Sequence, residues 1–268
     1  MCGIVGELDD PTTYAGALQH MDVVIHLASE ININGSIDDP LGSIERNLHL
    51  MSGLLETLRK GDERPLVVFT STDRVYGQTR KSLVNESERA IPIEPYTASK
   101  MMCETLLQTY GRLYDIPYII LRLDSIYGEG QSRSMFISDV IHKMIAEDTV
   151  KVGNIALRKN FVYAGDVARA ILLAVEAKAS ARNTEYNIGG PSIDFGKIIQ
   201  KLQRLIGGRL GKKIQVVPNL EAQRPSSIEV RPFRLSTAKA RRDLGWQPEV
   251  SIDEGLKRTF EDIYSHYE

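Results

Sequence analysis

Three nearly continuous apolar runs stand out in the first half of the chain: MDVVIHLA (21–28), PLVVFTST (65–72) and PYIILRLDS (117–125). Their β-branched content and lack of alternation predict strands buried on both faces of a parallel sheet. Between the first two runs, Leu41, Ile44, Leu48, Met51, Leu55 and Leu58 step by three and four, predicting a helix that Gly61 ends. Between the second and third, Tyr96 to Tyr114 predicts another helix, with Met102, Leu106 and Leu113 among its apolar positions and Pro95 at its entry. Strand, helix, strand in repetition means right-handed crossovers and a doubly wound α/β sheet.

The rhythm loosens after about residue 130. Asp166 is expected to cap the helix DVARAILLAVEAK, and Ser251 with Glu254 reads as a capping box before a C-terminal amphipathic helix. TEYNIGG (184–190) and KIQVVP (213–218) are short strand candidates, and residues 218–235 carry three prolines and read as a long functional loop or linker. The expected division is a nucleotide-binding sheet over residues 1–150 and a smaller α/β substrate lobe over 151–268, with segments interwoven.

Composition narrows the classes. The 268 residues are 42% hydrophobic and 25% charged, ordinary values for a folded protein, and the net charge of −2 gives no drive toward nucleic acid or an anionic membrane. Two cysteines, Cys2 and Cys103, rule out a disulfide framework or a cysteine-rich zinc site, and five scattered histidines argue against any metal. No secretory leader or membrane span is legible, so the expected location is the cytoplasm.

The chemistry gathers around Tyr96-Thr-Ala-Ser-Lys100, a phenol and an ammonium four residues apart on one helix face. A nearby cation favours the phenolate, and such a pair can take a proton from an alcohol while a nicotinamide takes the hydride. Alone the spacing is common; its context is not. Thr72 and Asp73 end the second strand, at the mouth of a parallel sheet where ligands bind. His26 within the first strand reads as a packed core residue, and Cys103 as a helix-packing thiol.

In order along the chain, HLAS (26–29), STDRVYG (71–77), PYTASK (95–100), RLDSIYGEG (122–130), KNFVYAGDVARAI (159–171), YNIGG (186–190) and LGWQP (244–248) resemble the extended short-chain dehydrogenase/reductases. More narrowly the series resembles their NAD-dependent nucleotide-sugar epimerases and dehydratases, of Rossmann-like fold. The resemblance implies NAD as cofactor, a nucleotide-sugar substrate, and a homodimer through the two helices that end near residues 59 and 113. It makes Tyr96 the base for a sugar hydroxyl, with Thr72 bonded to the reacting oxygen and Lys100 tuning Tyr96 and holding the nicotinamide ribose. It assigns Leu27, Ala28 and Ser29 to the cofactor through backbone, Asn47 to a side chain reaching toward it, and Glu7 and Leu8 to the adenine. Lys159 and Arg224 fall at phosphate-binding positions, and Ser125 at a substrate-contacting one.

Two departures matter. Thr72-Asp73 resembles the start of the dehydratase Thr-Asp-Glu, but Arg74 replaces the glutamate that removes the C5 proton, leaving 4-epimerase and 4,6-dehydratase both open. Also, no G-x-G-x-x-G or G-x-x-G-x-x-G occurs. Gly3 and Gly6 read better as the end of the family's third strand, so the first two βα units are expected to be missing and NAD to be held weakly. A normal enzyme behind a displaced start, a sheet completed by another subunit, and a binding or regulatory pseudoenzyme are the readings that follow.

Overall fold

A computed structural model describes residues 8, 10–153, 155, 157–219 and 232–267. Its main sheet holds β1 (Val23–His26), β2 (Leu66–Thr72), β4 (Tyr118–Leu123) and β8 (Thr184–Ile188), all parallel and adjacent in chain order. The two longest apolar runs take its centre, where neither face meets water. Alternation along β2 divides the packing. Val67 and Phe69 face α2 (Pro40–Lys60) and α3 (Pro95–Tyr114), meeting Met51, Leu55, Cys103 and Leu107. Leu66 and Val68 share the opposite core with residues of α5 (Ala164–Val175), α7 (Ala238–Leu244) and Trp246. This is the doubly wound, Rossmann-like arrangement that the apolar runs imply.

Local chemistry sets the helix ends. Asp39 accepts the Gly42 N–H ahead of α2, Pro40 occupies its first turn and Gly61 closes it. Glu94 does the same for α3, accepting from Thr97 N–H just before Pro95. The short helix α1 (Ile33–Asp38) packs beside both.

A second core lies beyond the sheet's C-terminal ends. It is built from α4 (Phe136–Ala146), α6 (Phe195–Leu210) and α8 (Ile252–Ser265), packed on the parallel pair β6 (Thr149–Val152) and β10 (Gln215–Pro218) and on β7 (Arg158–Tyr163). β7 also pairs with β5 (Ser125–Tyr127) and, antiparallel, with β9 (Ser192–Asp194), while β3 (Leu83–Val84) pairs with β11 (Arg234–Leu235). The cores do not divide the chain at one point: α4 and β6, before residue 152, serve the second, while α5, β8 and α7 return to the first.

Two capping expectations are corrected. Asp166 is not an N-cap, since α5 starts at Ala164. Its carboxylate instead accepts the N–H groups of Glu249 (3.0 Å) and Val250 (3.1 Å), and its carbonyl takes the Trp246 indole N–H (2.9 Å), clipping the C-terminal segment onto α5. Half the capping box is present: Ser251 Oγ accepts from Glu254 N–H, while the Glu254 carboxylate turns to Arg258.

Among the described residues β1 pairs only with β2, and Ile25 on it is exposed. No helix among the described residues is long and apolar enough to cross a membrane.

Candidate functional site

The site is built where β2 and β4 end. Thr72 and Leu123 are register partners, so Asp73 and Asp124 leave neighbouring parallel strands side by side. Thr72 Oγ1 lies 3.4 Å from Asp73 Oδ1 and accepts the Arg74 N–H at 3.3 Å. Tyr96, in the first turn of α3, stands with its phenol beside the Thr72 side chain, which favours the ionised phenol. The structure thus brings Thr72, Asp73 and Tyr96 together, with Lys100 one turn along the same helix face.

The electrostatics differ from the simple tyrosine–lysine picture. Burial, then the charges of Glu94 and Asp73, hold the Tyr96 phenol well above its ordinary range; Arg74 and the Thr72 side chain oppose them. Lys100 is only 3% exposed, and its ammonium sits over the Phe69 ring, 4.6 Å from the centroid. Burial pushes Lys100 down to about 8. Among the described residues no oxygen accepts a hydrogen bond from Lys100, which leaves its donors for an outside partner such as ribose hydroxyls.

That depressed value has a sign for stability. Between pH 8 and about 10.5 the unfolded chain binds a proton that the folded Lys100 has released, so stability rises with pH across this window. Below pH 8 the cost of the buried charge is fully present. Lys100→Met therefore stabilises the cofactor-free protein at pH 7 by roughly 2–3 kcal/mol, with the gain shrinking as pH rises toward 10; urea melts at several pH values check this.

The remaining candidates are distributed as follows. Leu27 is exposed, and Ala28 and Ser29 are half-buried, in the loop leaving β1. Asn47 is buried. Its Oδ1 accepts from Ser29 Oγ (3.1 Å) and Glu30 N–H (2.8 Å), and its Nδ2 donates to Glu30 O (3.1 Å) and Ser99 Oγ (2.8 Å). It fastens the β1 loop to α3, and so sets the backbone that the resemblance gives to the cofactor. Lys159, on β7, acts on the charges of Asp73 and Asp124. Ser125 donates its N–H to Asp124 Oδ1 at 2.7 Å. Leu8 is an exposed turn residue, and Glu7 and Arg224 lie outside the described residues.

Three neighbours went unread in the sequence. Glu94, fully buried, faces Arg74 Nε at 3.5 Å and takes a hydrogen bond from Ser36 (3.4 Å), which also accepts the Tyr96 N–H. Asp124 is the second carboxyl at the strand ends. Behind the site, Glu104 and Arg122 form a buried pair (2.7 Å) tied to Ser71 and Tyr76. Glu104 stands four residues past Lys100 on the same helix face, so its spacing was a usable signal. His26 packs edge-on to Phe69, with burial and Lys100 pushing it down to about 4, and the Cys103 thiol donates to the Asn47 carbonyl at 3.4 Å.

A doubly wound parallel sheet with a tyrosine and a lysine at its C-terminal mouth defines a class of nucleotide-dependent oxidoreducing enzymes. Residues 2–189 match the model of the NAD dependent epimerase/dehydratase family. The chain is 34% identical to a putative UDP-glucose 4-epimerase of Methanocaldococcus jannaschii, over 89% of this chain and 75% of that one. It is 29% identical to a dTDP-glucose 4,6-dehydratase of Escherichia coli, over 89% of this chain and 72% of the other. The solved UDP-glucose 4-epimerase of Thermotoga maritima with UDP-glucose superposes with a TM-score of 0.86 at 27% identity, covering 98% of this chain and 84% of that one. The chain belongs to the NAD-dependent epimerase/dehydratase family, whose cofactor is NAD.

Proposed function

We propose that this protein is an NAD-dependent 4-epimerase of a UDP-hexose. The observation that carries the reading is the Tyr96 phenol beside the Thr72 side chain at the end of β2, with the Lys100 ammonium one turn away and without an acceptor among the described residues. When bound, the nicotinamide supplies the hydride acceptor and returns the hydride. Lys100 holds its ribose, and the Leu27–Ser29 backbone, fixed by Asn47, lines it. Thr72 orients the C4 hydroxyl while Tyr96 takes its proton and later gives one back. Ser125, following β4, faces the sugar.

Epimerisation is favoured over dehydration because the position after Asp73 holds Arg74, whose guanidinium turns to Glu94, and not a carboxylate able to take the C5 proton. Dehydration remains the second reading. Asp73, raised chiefly by burial and opposed by Lys159 and Arg74, has the character of an acid able to protonate a leaving hydroxyl. Supplied with NAD and UDP-glucose, the protein is expected to give UDP-galactose at unchanged mass. Loss of the mass of water assigns the dehydratase, and no turnover of UDP- or dTDP-sugars sinks the reading. The outer face of α2 and α3, where Met102, Leu113 and Tyr114 are exposed, is the surface we assign to a homodimer.

A further inference from the structure

Thr72 Oγ1 lies 3.4 Å from Asp73 Oδ1 and accepts the Arg74 N–H, and the Tyr96 phenol stands beside the Thr72 side chain. From Asp73 the path continues to Asp124, the next residue after the register partner of Thr72. Asp124 is only 5% exposed. Its Oδ1 takes the Ser125 N–H, whereas Oδ2 touches no solvent and has no partner in hydrogen-bonding geometry among the described residues. A Cβ added at Gly189 would stand 3.0 Å from that oxygen, so the chain past β8 closes over it. A buried carboxylate oxygen without a donor is costly, and a proton on it removes the cost. Two adjacent carboxyls, one of them buried, hold one proton between them, because both cannot ionise cheaply.

Charged and polar groups flank the pair on each side. Lys159 on β7 acts on both carboxyls, and Arg74 acts on Asp73. The Asn160 amide on β7 favours ionisation of Asp124, and Tyr96 and Glu94 stand on the α3 side of Asp73. Burial outweighs these cations, raising Asp73 and raising Asp124 well above the ordinary carboxylate range.

We propose that Asp73 and Asp124 form a carboxyl dyad with one shared proton, and that the dyad exchanges protons with Tyr96 through the Thr72 hydroxyl during sugar oxidation. The relay rests on the epimerase reading; the dyad does not. In the oxidising half, the C4 hydroxyl proton moves to the Tyr96 oxygen as the phenol proton moves to Thr72 and the Thr72 proton to the Asp73 carboxylate. The C4 hydride leaves to NAD, the C4–O bond becomes a carbonyl, and the dyad then carries two protons. The reducing half reverses every transfer. This arrangement lets Tyr96 act without a standing phenolate, which its surroundings disfavour.

The test labels the aspartate carboxyl carbons with 13C and follows them by NMR against pH in the protein, in Asp73→Asn and in Asp124→Asn. One carboxyl is expected to stay protonated at pH 7, and that signal to vanish in both variants. All aspartates ionised at pH 7 overturns the dyad, as does a protonated signal that survives Asp73→Asn. With UDP-glucose and NAD, Asp73→Asn is expected to lower kcat by about 10²-fold or more at little changed KM. Asp124→Asn is expected to move the acid limb of the kcat profile to higher pH, because the lone Asp73 carboxylate no longer has the shared proton that makes the dyad a weak base. Unchanged kcat in Asp73→Asn overturns the relay even where the dyad stands. Wild-type protein that turns over no nucleotide sugar counts against the epimerase reading and, with it, the relay, while the NMR still decides the dyad.

Discussion

Tyr96→Phe is expected to leave a folded protein whose turnover of UDP-glucose falls by about 10²–10⁴-fold, the range that a positioned acid–base group contributes. The substitution removes one oxygen and keeps the ring. The ring is mostly buried at the start of α3, a helix whose capping comes from Glu94 and Pro95 and not from the phenol. What is lost is the phenol beside Thr72, the group placed to take the sugar proton. The effect belongs in kcat with a small change in KM, since the hydroxyl acts in the transition state more than in binding. Initial rates by NMR, alongside a thermal melt, check both halves. A variant that keeps wild-type kcat removes Tyr96 from the mechanism.

The largest expected effect on stability lies behind the site. Glu104 and Arg122 are buried almost completely, joined at 2.7–3.2 Å, with Ser71 donating to Glu104 and Arg122 donating to the Tyr76 hydroxyl. Tyr76 in turn donates to Asn187 on β8 at 2.7 Å, so the network ties α3, β2, β4 and β8 together. Glu104→Gln leaves the Arg122 charge buried without its counter-ion and is expected to cost about 3–5 kcal/mol. That is a large share of the ~5–15 kcal/mol by which native domains are stable. The double variant Glu104→Gln with Arg122→Met removes the stranded charge and is expected to recover part of the loss. Urea midpoints of the single and double variants measure it. Equal losses for the single and the double contradict the account.

Much of this architecture was legible in the chain. The runs 65–72 and 117–125 become the sheet centre because continuous β-branched stretches have no polar face to turn to water. The apolar steps from Leu41 to Leu58 mark α2, and Gly61 closes it where it was expected to. Tyr96, Lys100, Thr72 and Asp73 were legible as candidates because helix spacing and strand ends place them in one region. The partners that set their chemistry were not. Asp124 meets Asp73 through strand register, which a single chain does not display. Glu94, just before Pro95, caps α3 and adds its charge to the surroundings of Tyr96. Asp166 was misassigned for the same reason: its partners, Glu249 and Val250, lie more than eighty positions downstream.

The central claim is that the hydrogen at sugar C4 leaves as hydride and returns to the same carbon. UDP-glucose carrying deuterium at C4, incubated with the protein and NAD and followed by NMR, tests it directly. The expected result is UDP-galactose with deuterium retained at C4; an epimer in which that deuterium has been exchanged for solvent hydrogen contradicts it.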